Sequence, residues 1–209
     1  MSARNFQPAE KQEIVDFRGT RIALTICEDA WNDKQFWERP LYKNDPVEAL
    51  VRQGAQIVIS INGSPYDTAK RAVRRQMFSA MALRYGLPHV YVNMVGGNDQ
   101  LVFDGSSFAM DSAGAVISSL KSFEEDMVLF ESEACTGELR ETHPIETSAV
   151  YDALVLGTRD YLRKCGFKSV LLGLSGGINS TPGGLRRRRC GGQGERRGCG
   201  HARPVFLRP

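Results

Sequence analysis

The sequence predicts an α/β fold, and three observations carry that prediction. Strand-like and helix-like segments alternate along the chain with short links between them, the pattern of a layered α/β domain. One strand-like segment, 57–61 (IVISI), is a continuous apolar run, as expected of a strand buried on both faces. Charge is also divided as in a globular body with an appendage. The whole chain carries +3; eight arginines against one acid give residues 181–209 a net +7, which leaves −4 for residues 1–180.

The elements follow in order. Thr20–Ile26 comes after a Gly turn and is rich in β-branched residues, so it reads as a strand. Segment 46–53 reads as a helix with Asp45 as cap, Pro46 at its first position and Gly54 as stop. After the 57–61 strand, a longer helix spans 68–85, with Ala69, Val73, Met77, Ala80 and Leu83 at helical spacing and Gly86 closing it. Strands follow at 89–92 and 107–110, and a fifth at 115–118 makes a hairpin with the latter around Asp111-Ser112-Ala113-Gly114. Residues 124–147 are acidic and weakly patterned, as in a surface connector. A helix over 149–165 and a short strand at 169–174 then open a second domain.

Composition narrows the class. With 209 residues, 42% hydrophobic and 24% charged, the chain has the make-up of a globular protein with a substantial core. No apolar run approaches the ~20 residues of a membrane span, and the first residues do not resemble a signal peptide. Five cysteines without a CxxC pair suit a reducing compartment, so a cytoplasmic location is expected. The three histidines are scattered, which gives no zinc-ligand pattern.

Four motifs carry chemistry. Ile26-Cys27-Glu28-Asp29-Ala30-Trp31 places a thiol where a strand opens into a loop, a position suited to a nucleophile held by rigid backbone; a free Cys there also serves simply as a small core residue. Asn62-Gly63-Ser64-Pro65-Tyr66 ends the IVISI strand, and Lys70 follows. A hydroxyl with an ammonium suits a zwitterionic amino acid, while a turn followed by a solvated lysine is the plainer reading. The stretch 93–107 (NMVGGNDQLVFDGSS) holds paired glycines, either beside a pocket or only turning the chain. Leu172-Gly173-Leu174-Ser175-Gly176-Gly177-Ile178-Asn179-Ser180 is a strand running into a Gly-Gly turn, which offers backbone N–H groups to an anion but lacks the Walker lysine.

In their order and wording these motifs resemble the glutamine-dependent NAD synthetases, over about residues 4–180. The resemblance implies a nitrilase-like α-β-β-α sandwich followed by the first strand of a Rossmann-like ATP pyrophosphatase domain. It divides the chain into a glutaminase domain (1–130), a connector (131–148), the start of the synthetase domain (149–180) and an unordered Arg/Gly-rich tail (181–209). It implies that Cys27 is the glutaminase nucleophile, that the Glu28 N–H forms half of an oxyanion hole, and that Ser64 and Lys70 bind glutamine. Gly173, Leu174, Ser175, Gly176, Gly177, Ile178, Asn179 and Ser180 match the loop that grips ATP phosphates. The implied molecules are L-glutamine, deamido-NAD and ATP with Mg2+, with no tightly bound cofactor. The implied enzyme is a carbon–nitrogen ligase and a homo-oligomer, with neither membrane nor nucleic acid as partner.

The chain also departs from that family. The Glu and Lys that complete the family's catalytic triad belong before the nucleophile, and no residue ahead of Cys27 matches them. Asn179 stands where the family carries Asp. An incomplete and inactive or weakly active fragment is therefore expected, with a standalone amidase using Cys27, or a non-catalytic remnant, as the alternatives. After Ser180 the family pattern stops. Yet reading the codons of residues 193–203 one base later permits K-E-N-V-V-G-V-A-M-P, the type of strand the family has next. We read residues 181–209 as the product of a frame shift near codons 180–181; a genuine Arg-rich nucleic-acid-binding tail is the competing reading, with Phe206 as its only aromatic and no motif. Nucleotide sequencing across that point is expected to return an alternative frame encoding the missing helix and strand.

Overall fold

The computed structural model describes residues 11–38, 44–140, 145–174, 196–198 and 203–207. The chain runs through β1 (Val15–Phe17), β2 (Thr20–Ile26), α1 (Glu28–Trp31), α2 (Pro46–Arg52), β3 (Ile57–Asn62) and α3 (Lys70–Tyr85). It continues through β4 (His89–Asn93), β5 (Val95–Asn98), β6 (Leu101–Asp104), β7 (Phe108–Met110), β8 (Val116–Ser119), β9 (Phe130–Glu131) and β10 (Thr136–Gly137). The last elements are α4 (Glu146–Lys164), β11 (Val170–Leu174), β12 (Arg196–Gly198) and β13 (Arg203–Leu207).

Six strands form the main sheet in the order β1-β2-β3-β4-β7-β8. The central β2, β3 and β4 are parallel and joined by α2 and α3, while β1, β7 and β8 flank them antiparallel. The helix caps form as the sequence expects: the Asp45 carboxylate accepts from the Glu48 N–H at 3.0 Å, and Gly86 closes α3 at φ 63. Both crossover helices cover the same face of the sheet. Val47 and Leu50 of α2 and Met77, Phe78 and Met81 of α3 share one core with Ala23, Val58, Tyr91, Phe108 and Met110. Phe78 meets Tyr91 and Phe108 edge-on at 5.1 and 5.7 Å, and Tyr91 and Phe108 stack at 5.1 Å.

Two expectations need correction. The IVISI strand is buried on both faces only at its start: Ile57 and Val58 are both buried, whereas Ile61, on the same face as Ile57, is 50% exposed. Leu24, Ile26, Val92 and Met94 share that open face, because α2 and α3 both lie on the other side. The inward face of α3 is also rotated from the expected one. Its buried positions are Arg74, Met77, Phe78, Met81 and Ala82, while Leu83 is 61% exposed. A charged residue occupies an inward position, which the spacing of apolar residues cannot register.

The glycine pair at 96–97 lies in a β-hairpin rather than a loop: β5 and β6 pair antiparallel from Val95↔Asp104 to Asn98↔Leu101. That hairpin is the seat of α4. A Cβ on Gly97 would lie 3.0 Å from the Gly157 Cα, so the two backbones approach as closely as glycines allow. The Gly97 N–H donates to Asp160 Oδ2 at 2.8 Å, and Lys164 Nζ donates to the Gly97 carbonyl at 2.6 Å. Phe123, Ala149, Ala153 and Leu156 form a second small core with Tyr66, Val95 and Val102. Beyond α4, β11 pairs with β13 and β13 with β12, so two short strands lie within the tail expected to be without order. No helix among the described residues is long and apolar enough to cross a membrane.

His89 in β4 gives the core a pH dependence. Its ring is fully buried, with Nδ1 2.8 Å from the Leu87 carbonyl, and burial pushes its pKa down to about 4. An unfolded histidine titrates near ~6.5, so the stability held by the neutral ring is complete above that pH and drains away as pH falls through about 4. Urea titrations are expected to show His89→Leu losing ~2 kcal/mol less than the unmodified chain between pH 7 and pH 5.

Candidate active site

The site is built at the carboxyl ends of the three parallel strands, where α/β sheets gather their ligands. β2 ends at Ile26, and Cys27 turns the chain into α1 at φ 46, ψ −104. A left-handed φ in a non-glycine residue outside the usual wells costs on the order of 1–3 kcal/mol and persists only where its surroundings impose it. Three hydrogen bonds do so here. The Cys27 N–H extends the ladder to the Ile61 carbonyl at 2.9 Å, Asp29 Oδ2 accepts from the Ile26 N–H at 2.9 Å, and the Ala30 N–H donates to the Cys27 carbonyl at 3.2 Å. A strained strand-to-helix turn is the device that holds out a nucleophile elsewhere among α/β enzymes. Cys27 is free and partly buried.

Lys70 opens α3, and its ammonium lies 5.3 Å from the centre of the Trp31 ring, a cation–π contact with the helix that Cys27 starts. Burial lowers the Lys70 pKa, with Arg74 adding to the effect, while Cys27, Asp67 and Asp104 pull it upward. Ser64, two residues past the end of β3, is 2% exposed and held on every side. Its N–H donates to Asn93 Oδ1 at 2.9 Å, its carbonyl accepts from Asn93 Nδ2 and Arg74 Nη2, and its Oγ accepts from Arg74 Nη2 at 3.3 Å.

Arg74 is the centre of this arrangement. Its Nη1 donates to both oxygens of Asp104 at 2.8 and 2.9 Å, and the two side chains are 1% and 0% exposed. Nη2 also donates to the Pro65 carbonyl at 3.1 Å. The structure therefore brings Cys27, Ser64 and Lys70 to one end of the sheet and adds Trp31, Arg74, Asn93 and Asp104 as their supports. Asn93 and Asp104 stand inside the NMVGGNDQLVFDGSS stretch, where nothing sets them apart from its other polar residues such as Asn98, Asp99 and Gln100. Arg74 follows Lys70 by one helical turn, and nothing in the sequence separates it from a solvated arginine. Gly173 and Leu174 end β11, while Ser175, Gly176, Gly177, Ile178, Asn179 and Ser180 lie outside the described residues. Among the described residues no group of three or more His, Cys, Asp or Glu could hold a metal ion.

Comparison with known proteins decides the family, since the carbon-nitrogen hydrolase family matches residues 3–140. The chain belongs to the carbon-nitrogen hydrolase family. A second match, to NAD synthase, covers residues 150–187 and so takes in most of α4. A glutamine-dependent NAD(+) synthetase from Synechocystis is 42% identical over 183 residues, covering 85% of this chain and 33% of the relative. One from Rhodobacter capsulatus is 40% identical over 166 residues, covering 77% of this chain and 28% of the relative. The solved structure of the glutamine-dependent NAD+ synthetase from Acinetobacter baumannii, in complex with ADP, superposes with a TM-score of 0.78 at 32% identity. It covers 90% of this chain and 35% of that one. The resemblance read from the four motifs is borne out, as is the nitrilase-like α/β fold. The chain spans about a third of the length of the curated relatives it matches.

The buried ion pair makes a sharp prediction. Arg74→Met strands the Asp104 carboxylate in the interior and is expected to lower stability by ~3–5 kcal/mol. The double variant Arg74→Met/Asp104→Leu is expected to lose clearly less, and urea unfolding of the four members of the cycle measures the difference.

Proposed function

We propose that this chain carries the glutamine-hydrolysing part of a glutamine-dependent NAD(+) synthetase, with Cys27 as its nucleophile, in an incomplete form that turns glutamine over weakly or not at all. The observation that carries the reading is the strained Cys27 turn, presented at the strand ends beside Lys70 and the Ser64 turn. The Cys27 sulfur adds to the carboxamide carbon of glutamine as its thiol proton passes to a general base, the role of the family's Glu that no residue ahead of Cys27 matches, and the Glu28 N–H, one residue on, stabilises the oxyanion. Collapse of the adduct breaks the C–N bond as that same proton is returned to the nitrogen, which departs as ammonia, and leaves a glutamyl thioester, which water hydrolyses to glutamate. The Lys70 ammonium, half-buried against Trp31, pairs with the α-carboxylate of glutamine at more than its surface strength. Ser64 supplies its hydroxyl proton, since its oxygen already accepts from Arg74.

The ammonia would serve ATP-dependent amidation of deamido-NAD, with Mg2+ accompanying ATP, in a cytoplasmic homo-oligomer. The NAD synthase match at residues 150–187 and the relatives' names support the amidation part of this reading. Residues 173–180 are assigned to the ATP phosphates on the pattern of the strand and its Gly-Gly turn. The seating of α4 on the β5–β6 hairpin favours a fused enzyme over a standalone amidase, which has no use for that helix.

An electrophilic glutamine analogue, such as a diazo-ketone mimic of its side chain, is expected to add once to the chain, at Cys27, with Cys27→Ser abolishing the adduct. Intact mass and peptide mapping read the result. Modification of Cys27 by iodoacetamide but not by the analogue would refute glutamine as substrate.

A further inference from the structure

The turn between β3 and α3 that carries Ser64 and Lys70 is gripped from two sides. From within the hydrolase fold, Arg74 and Asn93 hold Ser64, and the Tyr66 N–H donates to the Val102 carbonyl at 2.7 Å. From outside it comes α4. Glu146, in the first turn of that helix, accepts from the Tyr66 hydroxyl through Oε1 at 2.6 Å and from Arg71 Nη2 through Oε2 at 2.9 Å. Tyr66 lies two residues after Ser64, and Arg71 is next to Lys70. One carboxylate thus bonds to both flanks of the substrate-handling turn.

The Arg71 side chain is 14% exposed and that of Glu146 44%, so solvent screens the charge pair from the Glu146 side, and the two hydrogen bonds fix its geometry. Its guanidinium also lies 5.8 Å from the centre of the Tyr66 ring, which packs edge-on against Phe123 at 5.3 Å. Burial, with the Glu146 carboxylate adding to it, pushes the Tyr66 hydroxyl above its ordinary pKa, so it remains a donor. Further along, the same helix is seated by the Gly97–Gly157 approach and by Asp160 and Lys164.

We propose that Glu146 is a positioning residue for the Cys27 pocket: through Tyr66 and Arg71 it keeps Ser64 and Lys70 in register with the thiol while α4 is seated on the hairpin. The proposal rests on the glutamine reading above and adds to it a mechanical link. The helix that leads into the NAD-synthase-like segment sets how well the pocket holds its amino acid, and any event that shifts α4 changes that hold.

Saturation kinetics of Cys27 labelling by the electrophilic glutamine analogue, on the full chain, separate the half-saturating concentration from the limiting rate. Glu146→Ala is expected to raise the half-saturating concentration roughly tenfold, the worth of one hydrogen bond to a charged group. The limiting rate, and the rate with iodoacetamide, should match the unmodified chain. Glu146→Gln keeps an acceptor for Tyr66 and loses the charge facing Arg71, so it should fall between. Should Glu146→Ala fail to fold, Tyr66→Phe removes one of the two bonds without touching α4 and is expected to raise the same constant ~3-fold. Unchanged half-saturation overturns the link and leaves the glutamine reading standing. A parallel change with iodoacetamide marks general loosening and also overturns it. If the unmodified chain shows no saturable labelling, the glutamine reading falls and the link falls with it.

Discussion

The ion pair between Arg74 and Asp104 is the constraint on which the site depends. Withdrawing a guanidinium and a carboxylate from water costs several kcal/mol for each ion, and only close geometry with further hydrogen bonds recovers it. Here Asp104 receives two bonds from Nη1, while Nη2 turns to the Ser64 and Pro65 carbonyls. Arg74 Nε finds no partner among the described residues, but the guanidinium carbon lies 5.6 Å from the centre of the Tyr91 ring. Arg74 comes from α3, Asp104 ends β6, Ser64 follows β3 and Asn93 ends β4, so one buried charge joins four parts of the chain at a single point. The Ser64 turn has little freedom left, and a pocket edge that does not move is what recognition of a small amino acid needs.

Cys27 depends on a different kind of constraint. Its backbone is strained, and the energy that holds it comes from the parallel β2–β3 ladder on one side and from Asp29 on the other. Asp29 belongs to the same Cys-Glu-Asp run as the thiol, so the motif contains its own brace: the third residue ties back to the amide just before the first. The conformation of Cys27 is thereby separated from the packing of its side chain, which leaves the sulfur partly accessible within a well-ordered fold.

Much of this was legible in advance, for identifiable reasons. β2, β3 and β4 are β-branched runs ended by Gly or polar residues, and local preference and tertiary context agree there. The cap at Asp45 and the stop at Gly86 are local chemistry and were read as such. The face of α3 was misjudged because Arg74 is buried by a partner thirty residues away, and periodicity sees only apolarity. The β5–β6 hairpin went unseen because glycine and asparagine read as loop formers, and its reason for glycine lies in α4, far along the chain. At the site, Cys27, Ser64 and Lys70 stood out as motif residues, whereas the burial of Ser64 and the strain at Cys27 are properties of the assembled fold.

The open face of the main sheet has a consequence of its own. Leu24, Ile26, Ile61, Val92 and Met94 offer water a contiguous aliphatic surface, the kind that monomeric proteins ordinarily keep small. When such a molecule begins to open on heating, its neighbours already present greasy rows against which loosened strands can pair. Thermal loss is then a race between refolding and clumping, set by how crowded the solution is as much as by the strength of the fold.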